Sequence, residues 1–219
     1  MVDNSYFGGY PLPPPPPPED YGSPVFPLSP AAIVYLFPEY FSEKASIGGF
    51  RSPCGNIKVK HDSLLCSMVI ATLLGMEDKK IIEFYVYREG RILKRNRLGI
   101  VKTNNLVQAD FGYLGRRIVN MYPGSRASLY RVIIEGGERF SPEKYFIGQV
   151  FKYDIRGKGL FLEDNPKKPI CEKIMIYRNE AEKIYNSINV FRAQRSNEYN
   201  LAKWDVMRVI LDMQPSDDY

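Results

Sequence analysis

The chain has 219 residues, 44% hydrophobic and 25% charged, with a formal net charge of +5. That balance belongs to ordinary globular proteins and excludes a wholly disordered or fibrous chain. No stretch reaches the ~18–20 uninterrupted apolar residues of a membrane-spanning helix, and the first residues carry Asp3 without the early lysine or arginine of a secretory leader.

The charge is unevenly spread. Residues 1–45 hold five acids against Lys44, a net −4, and residues 46–214 hold 29 basic and 18 acidic residues, a net +11. A body of that sign attracts polyanions: nucleic acid, acidic lipid headgroups or acidic protein tails. Cys54, Cys66 and Cys171 are widely spaced and form no Cys-x-x-Cys or Cys/His cluster. They read as three free thiols, buried or partly buried, in a reducing cytoplasm, and no metal or other cofactor is expected.

Ten of the 17 prolines fall in the first 30 residues, with Pro13, Pro14, Pro15, Pro16, Pro17 and Pro18 consecutive. Such a run cannot donate backbone hydrogen bonds and favours the polyproline II helix. Residues 1–28 therefore read as an exposed tail, either a spacer or a ligand for aromatic-lined grooves. Order begins at Ser29, a candidate N-cap, and Pro30, suited to a first helical turn, with Pro38 limiting that helix. Residues 45–62 read as loop with a short strand at 57–60. Asp62 or Ser63 caps a helix over 64–76, and Gly75 lies where a glycine would stop it.

A β-branched and aromatic run at 81–87, the break at Glu89-Gly90 and a second run at 92–101 predict a β-hairpin. Helical stretches follow over 113–121 and 127–135, the second capped by Ser125, then a stronger helix from Ser141-Pro142 to Arg156 and a short strand at 160–162. From Cys171 the chain reads as helical, with an apolar stripe from Ile174 to Phe191 and a second helix holding Leu201, Trp204, Arg208 and Leu211. These patterns divide the chain into a proline-rich tail (1–28), an α+β domain (29–165), a helical segment (166–214) with amphipathic helices, and an acidic end (215–219).

Catalytic signals are weak. His61, the single histidine, sits in a predicted loop without a nucleophile elbow near it, no phosphate-cradling glycine loop is present, and the acids are isolated. A non-enzymatic module is the expectation. Its binding surface is placed on the hairpin, where Arg88, Arg91, Lys94, Arg95 and Arg97 stand beside Tyr85 and Tyr87: cations for phosphates and rings for stacking. The competing use of such charges is to protect a sheet edge from aggregation. The proline run and Trp204 are the candidate protein contacts, and self-association through the hairpin and the Trp204 helix is a further one.

The helix at 64–76 followed by a β-wing at 81–101 resembles winged-helix domains in layout, and the helix at 141–156 with its strand at 160–163 reads as a second such unit. The resemblance implies contact with nucleic acid or protein through the wing. The helix before the wing carries no basic residue, which argues for phosphate contact rather than base reading. The order of a Leu-Ser helix, a Leu-Leu-rich helix, Ile-Ile-Glu-Phe and a basic hairpin is also similar to the Golgi phosphoprotein family. That similarity implies a peripheral membrane adaptor for phosphoinositide or other anionic lipid.

Overall fold

The computed structural model describes residues 27–90, 94–103, 110–134, 142–165 and 167–212. The six prolines and Arg91 lie outside the described residues. Helix α1 (Pro30–Leu36) starts as its sequence dictates: Ser29 Oγ accepts the Ala32 N–H at 3.1 Å, and Pro30 occupies the first turn. Pro38 opens a second short helix, α2 (Pro38–Phe41). Strands β1 (Phe50–Arg51) and β2 (Lys58–Val59) pair as a two-residue antiparallel ribbon.

Helix α3 (His61–Asp78) is longer at both ends than the capping residues predict. Gly75 does not stop it. A Cβ at Gly75 would stand 3.0 Å from Pro30 Cγ, so this glycine serves close packing against α1, and the reversal comes at Lys80, with φ 55°. His61 therefore belongs to the first turn of a helix and not to a loop. Burial and the Lys144 charge hold its imidazole below the ordinary histidine value, hence neutral at pH 7. Leu64, Leu65, Met68, Val69, Ile70, Leu73 and Met76 bury α3 on nearly every side, which makes it the central helix, surrounded by α1 and the helices that follow.

Strands β3 (Ile82–Glu89) and β4 (Arg95–Lys102) form the expected antiparallel hairpin. After α4 (Gly112–Val119), the segment expected to be helical from Ser125 first adds a third strand, β5 (Arg126–Ser128), on the free edge of β4, and only then enters α5 (Leu129–Ile134). Helix α6 (Pro142–Val150) passes into a π-helical turn, Phe151–Ile155. Residues 160–162 make a single bridge, Phe161 to Pro169, so the second helix-to-strand unit has no ladder of its own among the described residues. Helices α7 (Cys171–Met175), α8 (Arg178–Gln194) and α9 (Ser196–Asp212) complete an α+β architecture. Ala181, Phe191, Ala202, Val206 and Val209 join the same core as α1 and α3.

Two tertiary ties were hidden in the sequence. Cys54 and Cys171 are joined as a disulfide across 117 residues, their Cα atoms 5.5 Å apart, which corrects the expectation of three free thiols. Residues so distant in sequence meet only because the loop before β2 lies against the start of α7. Cys66 alone is free and is buried in α3, where desolvation pushes its thiol up to about 12. The π-helical turn carries the buried Asp154, whose carboxylate accepts from the Ser29 hydroxyl at 2.8 Å and from the Tyr113 N–H at 2.8 Å. One side chain thus serves the starts of both α1 and α4. Desolvation raises its pKa, and these hydrogen bonds partly offset that rise.

Candidate functional site

The register of β3 and β4 assigns each hairpin residue to a face. Ile82, Phe84, Leu98 and Ile100 share the side packed on the helices, and Phe84 stacks on Phe191 of α8 with ring centroids 5.8 Å apart. Arg88 pairs with Asn96 on that same side, at the exposed far end. Tyr85, Tyr87, Glu89, Arg95 and Arg97 lie on the opposite side. The predicted cations therefore do not share one plane.

Arg97, expected to stand outward for a phosphate, is buried and ion-paired instead. It is 7% exposed, donates to Glu89 Oε2 at 3.1 Å and stands 3.5 Å from Asp205 Oδ1 on α9. The reason lies in the length of β5. Its pairing with β4 begins at Gly99, so the Leu98 N–H has no strand partner on that edge, and α9 covers it with Asp205, which accepts that N–H at 3.3 Å. Burial pushes the Asp205 carboxyl up to about 6, against the lowering effects of Leu98, Arg97 and Arg208. Arg95 and Lys94 remain exposed. Arg95 lines a shallow groove with Trp204, which is 52% exposed on α9.

Tyr85 and Tyr87 meet different cations from those expected. Their ring centroids are 5.6 Å apart, and the Tyr85 ring lies over Gly99, where any side chain would collide with it. Arg126 of β5 projects to the same side, with its guanidinium 5.5 Å from the Tyr85 centroid. The Tyr87 hydroxyl hydrogen-bonds Ser128, and burial keeps this phenol above its ordinary value, so it is neutral at pH 7. Arg131 of α5 closes the far side of a hollow of about 640 Å³. Glu89 is the one acid on its wall among the described residues, and its Oε2 already accepts from Arg97 and from Arg208 at 3.2 Å. Neither Arg126 nor Arg131 has a carboxylate within ion-pair distance among the described residues.

Arg126 and Arg131 are not among the cations that the sequence singles out, because it reads there as a helix over 127–135 capped by Ser125. The alternation over Arg126-Ala127-Ser128, two polar residues around a small apolar one, was the available strand signal. Arg116 and Lys152 flank the Tyr153 ring at 5.9 and 5.0 Å, away from this hollow. No group of three metal-ligating side chains occurs among the described residues, and no described helix is long and apolar enough to cross a membrane. Comparison with protein-family models, curated proteins and solved structures found no match.

Proposed function

We propose that the chain is a non-enzymatic binding module that takes single-stranded nucleic acid on the outer side of its three-stranded sheet. The observation that carries this reading is the Tyr85–Tyr87 pair held beside Arg126 and Arg131, two guanidiniums without a carboxylate partner among the described residues. Neighbouring rings offer faces for unstacked bases, and the arginines reach the phosphates between them. Base stacking on an aromatic side chain contributes ~1–3 kcal/mol per base. A duplex hides its base faces, so single strands are the favoured ligand.

With Arg97 buried in its ion pairs, the cations left on this side are Arg95, Arg126 and Arg131, and about three phosphate contacts give a log–log salt slope near −2 for a single strand. The test is fluorescence anisotropy with a fluorescein-labelled 12-nucleotide single strand, as RNA and as DNA, against its duplex. Affinity is expected to fall about 20-fold between 50 and 200 mM salt. Tyr85→Ala with Tyr87→Ala is expected to weaken binding at least tenfold at every salt concentration, whereas Arg126→Ala with Arg131→Ala flattens the slope. Equal affinity for duplex and single strand, or binding to anionic vesicles with none to oligonucleotides, overturns the proposal.

A further inference from the structure

A second hollow of about 640 Å³ runs between α2 and the first half of α3 on one side and α8 and α9 on the other. Its floor is Cys66 and Ile70 of α3. At one end Tyr185 meets Tyr40 and Phe41 edge-on, with centroids 6.4 and 6.2 Å apart, and Tyr199 lies across from them. Donors rim this aromatic trough: Asn189 and Arg192 from α8, Asn200 and Lys203 from α9. Two acids also line it: Glu43, ion-paired with Lys60 at 2.7 Å, and Asp62, which accepts the Ser63 N–H at 2.7 Å and keeps its charge. The trough thus offers ring faces and hydrogen-bond donors.

That is the complement of polyproline, whose pyrrolidine rings are apolar and whose backbone can only accept. We propose that the trough is occupied by the chain's own residues 13–18, docked in cis. Reach permits it. The described chain starts at Pro27, and Pro30 stands against Gly75, so the trough floor at Cys66–Ile70 lies five to nine residues back along α3, about 8–14 Å. The nine steps from Pro18 to Pro27 span up to ~30 Å. Charge agrees: Glu19 and Asp20 directly follow the prolines, and Arg192 and Lys203 have no carboxylate within ion-pair distance among the described residues. A tether of this length supplies an effective concentration of about 1 mM, so an intrinsic Kd near ~100 μM is enough to fill the trough.

The test uses a fluorescein-labelled peptide of residues 8–22 against the full chain and against a full-length variant with each of Pro13 to Pro18 changed to Ser. The variant, its trough vacated, is expected to bind the peptide about tenfold more tightly than the parent. Adding Tyr185→Ala, at a side chain 40% exposed, is expected to lose at least tenfold of that affinity. Lys203→Glu, added separately, is expected to weaken it through repulsion of Glu19 and Asp20. Equal peptide affinity in parent and variant overturns the proposal, as does absence of binding to both. A parent mass that doubles with concentration by light scattering, and does not in the proline variant, also overturns it, because the contact then joins two copies.

Discussion

Asp205 shows how much one side chain is asked to do. It sits on α9, 1% exposed, and meets the Leu98 N–H that β5 is too short to pair. Arg97, Arg208 and Glu89 are the charged groups facing it. Its carboxyl is raised to about 6, above the ~3.9 of an unfolded chain, so the folded state binds this proton more tightly. The stability it contributes is full below about pH 4 and declines as pH rises through about 6. Urea unfolding at pH 4 and pH 7 should therefore show the parent losing about 2 kcal/mol relative to Asp205→Asn across that interval. Gly112 is another residue without latitude. It has φ 65°, and a Cβ there would fall inside the Asp154 carboxylate and the Ser29 hydroxyl. Gly112→Ala should cost about 2–4 kcal/mol in urea unfolding, well above an exposed glycine such as Gly124, which has open space around it. Neither role was readable beforehand: Asp205 looks like any polar residue on a helix, and Asp154 reaches Ser29 across 125 positions.

At the level of elements, the parts whose determinants are local were legible. Ser29-Pro30 announced α1, and the runs around Glu89-Gly90 announced the hairpin. Helix α3 is legible in the sequence but reads shorter than it is, because a glycine used for packing against Pro30 is indistinguishable in sequence from one that ends a helix. β5 is not foreseen, because an alternation over three residues is too short to outweigh the helical pattern of 127–135, and with it goes Arg126, the cation over the Tyr85 ring. In the candidate site, Tyr85 and Tyr87 are residues that the sequence singles out, whereas Arg97, an outward cation in the sequence, is buried, because strand alternation does not foresee a helix laid along the sheet edge. The disulfide was equally invisible. A cross-link over 117 residues restrains the unfolded chain, and opening it should lower stability by about 2–4 kcal/mol. Thermal unfolding with and without a phosphine reductant checks this, and the Cys54→Ser, Cys171→Ser double variant should not respond to the reductant.

For the whole molecule, the position of α3 decides the behaviour. Helices from both ends of the chain bury their apolar sides on it: Ala31, Val34 and Leu36 from α1, Val206 and Val209 from α9. Arg195 Nη1 donates to both carboxylate oxygens of Glu77, at 2.8 and 2.9 Å, and fixes the junction of α8 and α9 to the end of α3. Unfolding should be a single transition. Trp204, the only tryptophan, reports α9, so its fluorescence and the far-ultraviolet circular dichroism should give coincident urea midpoints. Midpoints separated by more than about 0.5 M would mean that the last helices release first.

The seam of Ser29 with Asp154 has a mechanical meaning. Helix ends usually fray, and a load applied to the residues before one would peel it turn by turn. Here the first turn of α1 is moored, through a hydroxyl and a carboxylate, to a buried turn more than a hundred residues away. Whatever grips the leading prolines hauls on the interior of the protein and not on a loose thread.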